Sequence, residues 1–99
     1  MKIAMILPSL ANKGPILVAR DLCIEYKKMG HECSVFYFDD IVEVELPCSS
    51  KRISFWRPID WNAFDIVHSH MYRSDAYVFF HKPILRKCRT KFITTLHQH

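Results

Sequence analysis

Residues 2–30 read KIAMILPSLANKGPILVARDLCIEYKKMG: an apolar strand, a loop containing Gly14-Pro15, and an amphipathic helix that stops at a glycine. Ile3 to Leu7 form a continuous apolar run of strand length, the pattern of a strand covered on both faces in a parallel sheet. A helix must then carry the chain back. Gly14 suits its N-cap and Pro15 its first position, where the missing N–H would have no intrahelical partner. Val18, Leu22, Tyr26 and Met29 recur at helical spacing, flanked by Ile16, Ala19 and Cys23, and predict the buried stripe. Lys27 and Lys28 complement the negative end of the helix dipole, and Gly30 supplies the left-handed conformation that ends it. A second strand follows over 32–38.

Ninety-nine residues make one small domain at most, and a chain of this size buries only ~65% of its unfolded surface. With 49% apolar and 24% charged residues the composition is that of a globular domain, and the apolar runs are far too short to span a bilayer. Met1-Lys2 leads directly into strand without the apolar segment of a signal peptide, which gives a cytoplasmic location as the expectation. Cys23, Cys33, Cys48 and Cys88 lack any C-x-x-C spacing and are read as buried or neutral thiols, not as a disulfide frame or a zinc site. The net charge of +4 is concentrated in Lys82, Arg86, Lys87, Arg89 and Lys91. This patch is either a solvated helix end or a contact for anionic lipid head groups, worth ~1 kcal/mol per residue at a membrane surface. The second reading would put the protein peripherally at the inner face of the membrane. No nucleic-acid motif accompanies the patch.

Asp39-Asp40 opens a poorly patterned region to about residue 62, broken by Pro47 and Pro58, in which Ile53-Ser54-Phe55 is the one short strand candidate. Trp56 and Trp61 read as cover for the sheet edge, or as exposed aromatics able to receive a sugar ring or a lipid chain. Asp60 can cap a short turn through Phe64. The run 65–70, D-I-V-H-S-H, is a second strong strand, with Ile66, His68 and His70 on one face and Val67 and Ser69 on the other. An aromatic helix from about 72 to 81, ended by Pro83, is expected to pack its aromatics on the sheet. A last strand, 92–96, ends in His97-Gln98-His99. Strands alternating with helices imply right-handed crossovers and a Rossmann-like α/β domain of three layers, with a parallel sheet in the order 3-2-1-4-5. Binding groups collect at the carboxyl ends of such strands, and Ser9, Gly14, His68, His70 and His97 occupy those ends or the loops just beyond them.

The two H-x-H pairs share a strand face as zinc ligands would, but no carboxylate stands at either strand end to complete a catalytic site, so no metal is expected. Ser9 lacks the glycines of a nucleophile elbow. A phospho-receiver domain would need carboxylates where this chain has Pro8-Ser9.

Taken in order, MKIAMILPSL, a glycine turn, KKMGHECSV, FDIVHSH and FITTLH resemble the N-terminal domain of the family-four, retaining glycosyltransferases of the GT-B fold, the glycosyl transferase group 1 type. The resemblance covers nearly the whole chain apart from 40–60. It implies an acceptor-binding Rossmann-like domain whose first glycine loop lies against the diphosphate of a nucleotide-sugar donor, here Gly14 with Lys13 and Asn12. By the same resemblance His97, in Thr95-Leu96-His97, contacts the transferring sugar or its leaving phosphate, while Ser9, His68 and His70 line or shape the cleft. No cofactor is implied: amides at a helix N-terminus and an imidazolium suffice to stabilise the charge that develops on the leaving phosphate. The second domain of that family, which holds most of the donor, would lie beyond residue 99. The chain is then half of a GT-B enzyme, inactive alone, that transfers sugar to a glycan or lipid-linked acceptor, as in cell-surface polysaccharide synthesis. The alternative is a non-catalytic binding or assembly module that works with a separate catalytic chain. In either case strand 92–96 is expected at an open edge, where it could pair with a second copy.

If His97 acts on the leaving group, His97→Ala in the full-length enzyme lowers the rate constant by ~10²-fold or more with the thermal midpoint barely changed. Steady-state kinetics beside a melting curve check this. A fall in stability with turnover per folded molecule unchanged would instead make His97 a structural residue.

Overall fold

The computed structural model describes residues 1–81 and 90–95. Strand β1 (Lys2–Leu7) leads to helix α1 (Gly14–Lys28), then to β2 (Glu32–Tyr37) and β3 (Ser49–Arg52). A single 3₁₀ turn at Trp61–Ala63 precedes β4 (Ile66–His70), which passes directly into helix α2 (Met71–His81) and, further on, β5 (Lys91–Thr95). All strand pairs are parallel and the order is β3-β2-β1-β4-β5, as anticipated. The fold is Rossmann-like.

β1 lies at the centre, and Ile3 to Leu7 have no exposed surface. Ile3, Met5 and Leu7 point to one face, where Ile16, Ala19 and Cys23 of α1 meet them, together with Cys33 and Val35 of β2. Ala4 and Ile6 point to the other, against Val67, Phe38, Trp61 and Tyr77. Full burial of one such side chain contributes about 1.5–3 kcal/mol. Two helices on opposite faces therefore complete the three layers. Tyr77 of α2 anchors the second face: its ring touches Phe38, Phe55 and Trp61, and its hydroxyl donates to the Arg57 carbonyl at 2.7 Å. Burial pushes that phenol up to about 12.

Several local expectations are corrected. Lys13, extended at φ −129° and ψ 156°, is the N-cap of α1, and Gly14 is its first helical residue. The buried stripe of α1 is narrower than the periodicity suggests: Val18 is 44% and Met29 62% exposed, because α1 rests on the sheet through Ile16, Ala19 and Cys23. The third strand is the polar Ser49–Arg52, not 53–55, since backbone pairing with β2 at Ser34↔Ser49 and Tyr37↔Arg52 decides it and its side chains all face solvent. Only Tyr77 among the aromatics of α2 is buried; Tyr72, Phe79 and Phe80 are exposed. Asp60 does cap the turn through Phe64, accepting from the Asn62 amide at 3.2 Å. β3 and β5 are the two edges of the sheet. No helix of the described residues is long and apolar enough to cross a membrane.

α1 ends in a Schellman motif. The Gly30 amide donates to the Lys27 carbonyl and the His31 amide to that of Tyr26, both at 3.0 Å. Gly30 has φ +85° and nothing stands within 4 Å of where a Cβ would be. Gly30→Ala therefore costs ~1 kcal/mol through backbone strain alone, a fall of roughly 4–8 °C in thermal midpoint. Gly14, with a φ outside the left-handed range and equally open space, gives the contrast: Gly14→Ala leaves the midpoint unchanged or raises it, because alanine is the better helix former. Paired melting curves check both.

Candidate functional site

The carboxyl ends of β1, β2 and β4 form one rim. Beyond β1 the chain runs through Pro8, Ser9 and Leu10 to the exposed Asn12, Lys13 and Gly14 at the start of α1. This loop is tied to the segment after β2: the Pro8 carbonyl accepts from the Phe38 and Asp39 amides, and Leu10 bridges to 41–44 through its amide and carbonyl. Ser9 Oγ accepts from the Ala11 amide at 3.3 Å, closing a tight local turn. In the first turn of α1, Pro15 has no N–H, while the amides of Ile16 and Leu17 donate back to the Lys13 carbonyl at 3.0 Å. The Asn12 amide donates to the Glu43 carboxylate at 3.1 Å, so the loop already holds one anion of the chain's own. Of the three loop residues, Gly14 offers the amide best suited to a phosphate.

His68 and His70 lie on the α1 face of β4 with their rings stacked at 4.2 Å. Both are buried. The Tyr26 hydroxyl is 3.4 Å from His68 Nδ1. Burial pushes the His68 imidazole below 6.5, opposed by the negative charge of the Asp75 carboxylate. On the opposite face Ser69 Oγ donates to Asp75 at 2.6 Å, a carboxylate at a strand end that the sequence pattern did not locate. β4 turns into α2 through Met71 at φ +73°, a conformation that costs a non-glycine residue of order 1 kcal/mol or more.

Beside this rim opens a cavity of about 550 Å³ whose walls include Phe38, Asp39, Arg52, Trp56 and Arg73. Arg73, on the first turn of α2, grips Asp39, just past β2, with two hydrogen bonds of 2.6 and 2.8 Å. That pairing holds the Asp39 carboxyl below its ordinary value. Arg52 Nε donates to the Phe38 carbonyl at 2.9 Å. Trp56 is 81% exposed, whereas Trp61 is buried and donates Nε1–H to the His81 carbonyl at 3.1 Å. Trp61 is thus buried cover, while Trp56 stands open to solvent. Asp39, Arg52 and Arg73 were missed because they stand in three elements far apart in the chain. The usable signal was Asp39 at the carboxyl end of β2, a position where doubly wound folds place binding groups.

His97 lies outside the described residues, as do Cys88, Leu96 and all of the basic patch except Lys91, which is exposed at the start of β5. The cysteines are not separate thiols. Cys23 and Cys48 are joined in a disulfide and Cys33 lies against it, its sulfur 3.2 Å from that of Cys23. Tertiary packing brings them together where spacing gave no hint. Burial pushes the Cys33 thiol up to about 11, which makes it a poor nucleophile. No family model, no curated protein and no solved structure matches the chain.

Because the folded chain keeps His68 neutral, the unfolded chain binds a proton below 6.5 that the folded one refuses, and stability falls as pH drops through that value. The thermal midpoint of the wild type is therefore expected to fall more steeply than that of His68→Gln between about pH 8 and about pH 5. Parallel profiles would show that His68 is not held neutral.

Proposed function

We propose that this chain is the N-terminal, acceptor-side domain of a retaining glycosyltransferase of the GT-B fold, with its site on the carboxyl rim of the sheet. The observation that carries the reading is the presence, at the carboxyl end of a 3-2-1-4-5 sheet, of an exposed glycine loop at a helix N-terminus and an open cavity lined by aromatic and basic side chains. Asn12, Lys13 and Gly14 face the donor's diphosphate. In the cavity the apolar face of a sugar ring stacks on Trp56, and Arg73 and Arg52 meet the phosphate of a lipid-linked acceptor. Asp39 keeps the Arg73 guanidinium in a fixed plane and accepts from sugar hydroxyls. His70 shapes the cleft, and His97 acts on the leaving group. Sugar transfer then breaks the bond between anomeric carbon and phosphate oxygen and forms one to an acceptor hydroxyl, with retention.

The same cavity suits a non-catalytic module working with a separate catalytic chain, because all its named walls belong to this chain. An assay separates the two. The full-length protein is incubated with a panel of radiolabelled nucleotide sugars and a short-chain lipid-linked sugar, and the lipid fraction is counted. Label is expected there, and Trp56→Ala or Arg73→Ala should raise the acceptor KM by about tenfold, roughly 1.4 kcal/mol, with the donor KM unchanged. Quenching of tryptophan emission by the acceptor without any transfer would select the binding module. Loss of both sinks the reading.

A further inference from the structure

Three sulfurs from three separate elements meet at the amino end of β2 and β3, away from the rim. Cys23 comes from the sheet-facing side of α1, Cys33 is the second residue of β2, and Cys48 immediately precedes β3. Their sulfurs all lie within 4.8 Å of one another. A zinc ion bonded to each at about 2.3 Å would hold them roughly 4 Å apart, a spacing open to Cys23 and Cys48 once the bond between them is reduced. We propose that the reduced chain binds one soft divalent cation, zinc, on Cys23, Cys33 and Cys48.

Two further features support a cation here over a bare disulfide with a bystander thiol. The Cα atoms of Cys23 and Cys48 stand 7.2 Å apart, wider than the roughly 4.4–6.8 Å that a direct bridge usually spans, so once that bond is reduced the two sulfurs can separate around an ion without the backbone moving apart. A cavity of about 690 Å³ reaches Cys33 and Cys48 from solvent, giving the ion an entrance and space for water as fourth ligand. Lys27 lines that cavity, its ammonium donating to the Pro47 carbonyl at 2.6 Å, and it offsets the single negative charge that three thiolates and a divalent ion leave. Binding releases three thiol protons and involves no redox change, so it requires all three cysteines reduced. The site would clip α1, the start of β2 and the loop before β3 together, independently of the glycosyltransferase reading.

The test uses the whole chain, reduced with a phosphine, desalted without oxygen and titrated with Co²⁺ and then Zn²⁺. One equivalent of Co²⁺ is expected to produce a near-ultraviolet thiolate-to-metal charge-transfer band that one equivalent of Zn²⁺ abolishes, with the thermal midpoint rising as free Zn²⁺ increases. Outer residues that merely orient ligands already cost 10–100-fold in affinity, so Cys33→Ser and Cys48→Ser should each weaken Zn²⁺ by ~100-fold or more. Cys88→Ser should not. Cys48 is only half-buried, so its variant keeps the test decisive if Cys33→Ser fails to fold. Absence of the band in the reduced wild type, or an equal loss in Cys88→Ser, overturns the proposal.

Discussion

The structure depends on β1 having no exposed face. A strand whose five residues Ile3 to Leu7 are wholly buried must be paired along both edges and covered above and below, because every unpaired amide or uncovered methyl there would carry a desolvation or packing penalty. β2 and β4 satisfy the edges in parallel register, Met5 standing opposite Val35 on one side and His68 on the other. α1 and α2 satisfy the faces. Once those four neighbours are in place, the carboxyl ends of three strands are fixed side by side, and with them the loop after β1, the left-handed turn after β4 and the Asp39–Arg73 pair.

The frame was legible because it is written in local patterns: apolar runs of strand length, a helix closed by Gly30, and alternation in 65–70. Legibility failed where long-range contact decides the outcome. Val18 belongs to the apolar period of α1 yet faces solvent, since the helix packs on the core through Ile16, Ala19 and Cys23, with Leu22 and Tyr26 beside them, and Val18 falls outside that face. β3 is made of Ser, Ser, Lys and Arg and has no apolar signature; it is a strand because the β2 backbone has a free edge to pair. The candidate site divides in the same way. Gly14 and the histidines are marked by position at strand and helix ends, whereas Arg52, Trp56 and Arg73 become neighbours only when the segment 53–64 is pinned on α2 by Tyr77, Trp61 and the His81 contact with the Phe55 carbonyl. The cysteines are the extreme case, three elements apart in the chain and one cluster in space.

Charge on the rim is arranged in couples. Glu43 occupies the Asn12 amide, Asp39 occupies Arg73, and Asp75 occupies Ser69. Each couple satisfies in advance a group that a ligand would otherwise use. An anion approaching any of these groups would have to share it with a carboxylate already in place.

Met71 gives the rim a mechanical asymmetry. With no residue between β4 and α2, the reversal of direction is concentrated in one left-handed methionine, whose side chain packs against the α1-side core. For a residue with a Cβ the left-handed region is small and bounded by steric clashes on every side, so the torsion leaves little latitude for gradual adjustment. The β4 side of the rim is consequently a fixed post. The 8–14 side is secured instead by hydrogen bonds to a segment without regular structure, so the two sides of the rim are held by different means, one by a backbone torsion and the other by bonds between loops.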